Sequence, residues 1–252
     1  MLDDREENKT FLATTTGEPH QLARIYYKVF NQKTVLNAFK KLRCMDFDRT
    51  QNRWVWLYEA EAKKLRFDEP HHKIPKEMHP IVIGYFIFRE NDEMLLELRS
   101  LDRAIQALEF FDKRINRHAA QATKIRVLNK LFSVPSNRED FVPPSFEEYF
   151  DRADLFISSS EEIDAEFDRI AAEHEDEESR MAALTTYMEE QSKKPLPETE
   201  EIPINIYEDG LLPLTMSLKL RQVEAFQHWL GNTSFSQHDI LQSMMNAIAE
   251  EE

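Results

Sequence analysis

Glycine and cysteine are scarce in this chain of 252 residues. The four glycines, Gly17, Gly84, Gly210 and Gly231, stand far apart, so no glycine-rich phosphate cradle can be written. The single cysteine, Cys44, excludes an internal disulfide and a cysteine-ligated metal centre. Cys44 follows Lys40, Lys41 and Arg43, cations of the kind that lower a thiol pKa. It also sits where a strand begins, beside Met45, and is read as a buried, inert thiol. No serine occupies a nucleophile-elbow sequence, and no carboxylate pair stands out among the many acids. No catalytic residue and no cofactor are therefore expected. The longest apolar run, Ile81 to Phe88, is interrupted by Gly84 and is far shorter than the ~20 residues that span a bilayer. Met1 to Thr10 is polar and acidic, unlike a signal peptide. The expectation is a cytoplasmic protein with no membrane partner.

What is plentiful is negative charge, and it is unevenly placed. Residues 1–150 carry 25 Lys and Arg against 23 Asp and Glu, a net of +2. Residues 151–252 carry 7 against 24, a net of −17. Such an acidic segment repels nucleic acid and anionic membranes and attracts basic surfaces, on its own chain or on a partner.

Periodicity divides the chain further. Residues 1–20 read as a mostly disordered lead-in. Residues 21–136 read as an α+β domain with the order β-α-β-β-β-α-β. Its five strands are expected at Arg24–Phe30, Trp54–Tyr58, Ile81–Arg89, Met94–Arg99 and Thr123–Phe132, with Leu65–Phe67 a further strand candidate. Its helices are expected at Thr34–Arg43 and after the Ser100 cap. Strands Ile81–Arg89 and Met94–Arg99 form a hairpin across Glu90–Glu93. This order fits a mainly antiparallel sheet with helices on one face, and a ferredoxin-like topology is one of several that satisfy it.

Residues 137–192 read as an acidic helical segment. Ser145 with Glu148 and Ser159 with Glu162 make capping boxes, the first opening a helix to about Ile157. The helix from Ser160 to about Gln191 carries a coiled-coil-like seam of Ile163, Phe167, Ile170, His174, Glu177, Met181, Leu184 and Met188. Its centre is polar, so it is either one helix or two with a break near Asp176. Pro195, Pro197 and Pro203 mark 193–205 as a linker. Residues 206–252 read as a helix pair, Ser217–Leu230 closed by Gly231 and a second helix opened by Ser236 and Asp239.

Four constellations are candidates for function. The acidic seam, with the C-terminal pair, is read as a partner-binding or dimerising surface whose contacts are Phe167, Ile170, Met181, Leu184, Phe226 and Trp229. A cationic strand face, Lys124, Arg126 and Lys130 with Arg117 nearby, lies close in sequence to Tyr26, Phe30, Trp54, Trp56, Tyr85 and Phe132. That combination is how single-stranded RNA is held, by phosphate contact and base stacking. Gly84–Phe88 resembles the aromatic strand of an RNA-recognition sheet but lacks its leading cation–glycine pair. His71, His72 and His79, with Glu69 and Glu77, are donors of metal-binding type, but their spacing matches no helical ligand pair, and no metal is assigned. The terminal helix pair resembles a helix-turn-helix in outline, yet its second helix has no cation and ends in three glutamates, so it is read as a docking unit. The leading reading is a non-enzymatic adaptor or regulatory protein acting through its acidic helical part on a protein partner or a second copy. The alternative is an RNA or single-stranded nucleic-acid binder gated by its acidic tail.

Overall fold

The structure, a computed structural model, describes residues 10–134, 142–152, 155–157, 160–174 and 176–251. Among the described residues eight strands form one mixed sheet, accompanied by seven helices, so the chain is α+β. The strands are β1 (Ala23–Val29), β2 (Met45–Asp48), β3 (Arg53–Leu57), β4 (Val82–Phe88), β5 (Glu93–Leu98), β6 (Ala120–Leu128), β7 (Phe156–Ile157) and β8 (Thr199–Pro203). Their spatial order is β2-β3-β4-β5-β1-β6-β8-β7. Neighbours are antiparallel except β7 and β8, which run parallel. The helices are α1 (Gln32–Lys41), α2 (Leu101–Asp112), α3 (Phe146–Phe150), α4 (Ser160–Glu173), α5 (Glu177–Ser192), α6 (Leu212–Trp229) and α7 (Gln237–Glu251). Among the described residues no helix is long and apolar enough to cross a membrane.

Local chemistry accounts for the main elements. The Asn31 side chain accepts from the Thr34 amide at 3.0 Å and starts α1, while Lys40 and Lys41 close it where cations suit the helix dipole. Ser100 accepts from the Arg103 amide at 3.0 Å and starts α2. Asn91 and Asp92 both have positive φ, 62° and 57°, as a two-residue hairpin turn between β4 and β5 requires. Alternation in β1 sends Ala23, Ile25, Tyr27 and Val29 to one face and Arg24, Tyr26 and Lys28 to the other. The first face is covered by α1, α2 and α6 and holds the main core. At its centre Phe39 and Phe111 each stand 4.7 Å from Phe86, ring centre to ring centre, with Trp56 4.8 Å from Phe111. Gly84 pairs with Trp56 beneath this cluster. A Cβ there would sit 2.9 Å from Leu98 Cδ2 and 3.1 Å from Leu96 Cδ1, so any other residue would displace core side chains.

The second face is crossed by one line of paired residues: Asp46, Val55, Tyr85, Glu97, Arg24, Arg126, Glu201 and Ile157. α3 covers its middle, packing Phe146, Tyr149 and Phe150 on Leu22 and Leu128. Arg24, fully buried beneath α3, donates to Glu97 at 2.7 Å and to Asp151 at 2.6 Å.

Several expectations are corrected. Residues 10–20 are not a disordered lead-in: Leu12 donates to the Phe132 carbonyl at 2.6 Å, and Thr16, Glu18 and His20 are buried. Residues 1–9 lie outside the described residues. Leu65–Phe67 is not a strand; it follows a 3₁₀ turn, with Phe67 buried in the core and Leu65 packed against it. Met45–Asp48 supplies an edge strand in its place. The helix opened by Ser145 ends at Phe150 because Asp151 turns to Arg24. The pair Ser159 and Glu162 falls partly outside the described residues. The acidic helix breaks at Asp176, whose side chain caps α5 by accepting from Ser179 N at 2.7 Å. The 193–205 segment is not a bare linker, since 199–203 forms β8. α6 begins at Leu212 rather than Ser217, with Pro213 in its first turn.

Candidate functional site

Lys124, Arg126 and Lys130 already have partners from the acidic part of the chain. Lys124 Nζ lies 3.1 Å from Glu201 Oε1 and Arg126 Nε lies 2.7 Å from Glu201 Oε2. Both also stand over the Tyr26 ring, at 5.0 and 4.8 Å. Lys130 meets Glu198 at 3.1 Å, and Arg117 holds Asp112 in a two-pronged contact at 2.8 and 2.9 Å. Tyr26 is buried, and burial raises its hydroxyl pKa. Glu201 arrives with β8, a strand of the sheet, so this neutralisation is built into the fold. Trp54, Trp56 and Phe132 do not share that face as a stacking platform: Trp54 and Trp56 belong to the core, and Phe132 packs against Tyr149 and His20.

The apolar residues expected to meet a partner separate into two groups. On α4 and α5, Phe167 stands edge-on to Tyr187 at 6.0 Å. Met181 and Met188 are exposed and Leu184 is half-buried, whereas Ile170 is buried and serves to seat α4. None of the residues of α5 is buried. On α6, Phe226 and Trp229 stack at 5.9 Å and both meet Phe11 of the N-terminal arm edge-on. Trp229 also donates from Nε1 to Ser133 Oγ at 3.0 Å. Phe226 remains partly exposed.

α6 carries a feature that reading from Ser217 onward concealed. Leu214, Leu218 and Ala225 are buried against the domain. On the opposite side Leu212, Met216, Val223, Phe226 and Leu230 are exposed, and Lys219 completes a run spaced 4, 3, 4, 3 and 4. At 100° per residue these six fall within a narrow stripe. The signal was in the sequence, but it becomes continuous only when the helix is started at Leu212. Lys219 leans away from the stripe to contact Asp102 of α2. Thirteen of the sixteen large apolar side chains left exposed among the described residues lie beyond residue 141, within the part that bears most of the negative charge. Glu224, on the flank of α6, is fully buried with long contacts to Leu196 N at 3.4 Å and His228 Nε2 at 3.9 Å, and burial raises its carboxyl pKa.

The remaining candidates are simple to place. Cys44 is buried, and burial next to Glu61 pushes its thiol up to about 12, the state of an unreactive thiol. His72 is exposed, while His71 and His79 face one another with ring centres 4.6 Å apart. Glu69 and Glu77 do not join them; Glu59 does. No family model, curated protein or solved structure matches the chain.

Proposed function

We propose that the protein is a non-enzymatic interaction or regulatory protein of the cytoplasm that docks the outward stripe of α6 on a basic amphipathic helix of a protein partner. The observation that carries this reading is the second apolar face of α6. A helix needs one such face to seat itself on its own domain. Each large side chain on the other face, about one-third to two-thirds exposed, forgoes a matching fraction of the ~1.5–3 kcal/mol of full burial until something covers it. Alternating three- and four-residue spacing suits another helix. The net of −17 over residues 151–252 opposes a second copy and favours a cationic partner, with speed and salt sensitivity to match. Exposed methionines, Met181 and Met188 on α5 and Met216 on α6, lend such a surface adaptability. The RNA reading is not carried forward, because a phosphate would have to displace Glu201 and Glu198 from Lys124, Arg126 and Lys130.

The scaffold beneath this surface is read as a ferredoxin-like frame. In it β1-α1-β4 and β5-α2-β6 interleave, and the β2–β3 hairpin is added beyond β4.

The test is fluorescence anisotropy with a labelled lysine-flanked, leucine-faced helical peptide as probe, at two salt concentrations, on the full chain and on Val223→Asp. The wild type should bind in a salt-sensitive way and the variant about tenfold or more weakly, a change of ~1.4 kcal/mol. Equal binding by the two would sink the proposal. A concentration-dependent dimer in sedimentation, lost in Val223→Asp, would assign the stripe to a second copy instead.

A further inference from the structure

Between β3 and β4 the chain leaves the sheet and runs through three short 3₁₀ turns, Ala60–Lys64, His71–Lys73 and Lys76–Met78. Tyr58, Ala62, Phe67 and Ile74 pin this excursion to the core. Its folded path brings together three side chains that sequence spacing keeps apart. One donor atom each from Glu59, His71 and His79 lie within 4.8 Å of one another. His79 Nδ1 stands 3.8 Å from Glu59 Oε1, too far for a hydrogen bond. Its other nitrogen, Nε2, lies 3.3 Å from the Ile74 carbonyl. Such a backbone contact fixes the tautomer of a ligating imidazole and leaves the opposite nitrogen's lone pair available. His71 Nε2 is buried and has no hydrogen-bond partner among the described residues. Ala60, next to Glu59, has φ of 45°, a conformation that costs an alanine about 1–2 kcal/mol.

We propose that Glu59, His71 and His79 form a binding site for a divalent first-row transition-metal ion. Two imidazoles and one carboxylate select such an ion over magnesium or calcium, which prefer oxygen donors throughout. Zinc bonds nitrogen and carboxylate oxygen at ~2.0–2.2 Å, which sets tetrahedral ligand atoms about 3.3 Å apart. The three donors, within 4.8 Å of one another, therefore need to close by about 1.5 Å at most. An ion there replaces a gap that neither a hydrogen bond nor a close ion pair fills. Three protein ligands leave a fourth position for water or an exogenous ligand. His71 also lines a groove of about 310 Å³ with Tyr58, Lys63, Arg66, Phe67 and His72, which gives that position access from solvent and cations suited to an anionic ligand.

The test uses the full chain, purified without a histidine tag and stripped with chelator. Zinc is titrated by calorimetry, and cobalt is titrated by its visible spectrum as a report on geometry. One equivalent of zinc should bind, raise the melting temperature and survive millimolar magnesium and calcium. Loss of a ligand should cost at least the ~10–100-fold seen when a supporting residue is removed. His71→Gln and Glu59→Gln should each therefore weaken zinc by about 100-fold or more, while His72→Gln should bind like the wild type. Glu59 is partly exposed, so its substitution reads the site even if His71→Gln folds poorly. The proposal is overturned by the absence of one-equivalent binding. It is equally overturned if Glu59→Gln binds as tightly as wild type, which would place the metal on the acidic helices, or if His72→Gln loses as much as His71→Gln.

Discussion

Six of the seven residues of β1 are buried, and none of the residues of α5 is. β1 lies between two antiparallel neighbours and faces a helical layer on one side and α3 on the other. α5 touches α4 and α7 and leaves Met181 and Met188 in solvent. The difference shows where the chain has settled its burial internally. In the sheet layer even charged groups are enclosed and matched: Arg24 with Glu97 and Asp151, and Glu18 with Arg103, Thr14 and Thr16. In the acidic helices the order is reversed, with charge solvated and apolar side chains left outside. One region reads as a scaffold and the other as a surface waiting to be covered.

The sharpest way to break this comparison is Arg24→Ala. It strands Glu97, which is held between desolvation that raises its pKa and the Arg24 charge that lowers it. Removing one partner of a buried pair costs ~3–5 kcal/mol, which urea unfolding should register. A loss under ~1 kcal/mol would mean that α3 does not seal this face.

The second test concerns pH. Burial, then Arg99 and Arg103, lower the His20 pKa from 6.5 to about 4, and Arg99 Nη1 lies 3.1 Å from His20 Nε2. The folded protein thus binds fewer protons than the unfolded chain between these values. The stabilisation is complete above pH 6.5 and is lost as pH falls towards 4, up to about 3 kcal/mol in all. His20→Gln keeps an acceptor for Arg99 but does not titrate, so its stability should decline less over that window. Parallel curves for the two proteins would refute the assignment.

The smallest effect is expected from Met181→Ala combined with Met188→Ala, within ~0.5 kcal/mol of wild type in unfolding. Hydrogen exchange should show α5 amides opening well below the global free energy and β1 amides close to it. A larger loss of stability would put α5 in the scaffold.

The elements best read from sequence are those whose signals are local. Ser100, Ser236 with Asp239, the apolar runs of β1, β4 and β5, and the alternation of β6 are written within a few residues. β8 is hidden because its glutamates and Pro203, following Pro195 and Pro197, match a linker. What makes it a strand is remote: Glu201 answers Lys124 and Arg126, and Glu200 holds Arg221 through two contacts of 2.8 Å. β2 was hidden by its brevity and its two aspartates, which suit an edge. The histidine loop was visible as composition, but Glu59 joins His71 and His79 only after the core pins Phe67 and Ile74. The outward stripe of α6 was obscured by the misplaced helix start.

Arg126 and Glu201 lie 75 residues apart in the chain. A ribosome adds residues at about 5–20 per second, so β6 emerges about 4–15 s before the strand that pairs with it. Throughout that interval β6 presents bare amides and carbonyls, the template on which one nascent chain joins another. Lys124 and Arg126 stand along that edge, and side-by-side copies would set like charges against each other. The cations that the finished protein neutralises thus guard the unfinished one, and β8 ends their watch by bringing the carboxylate they lacked.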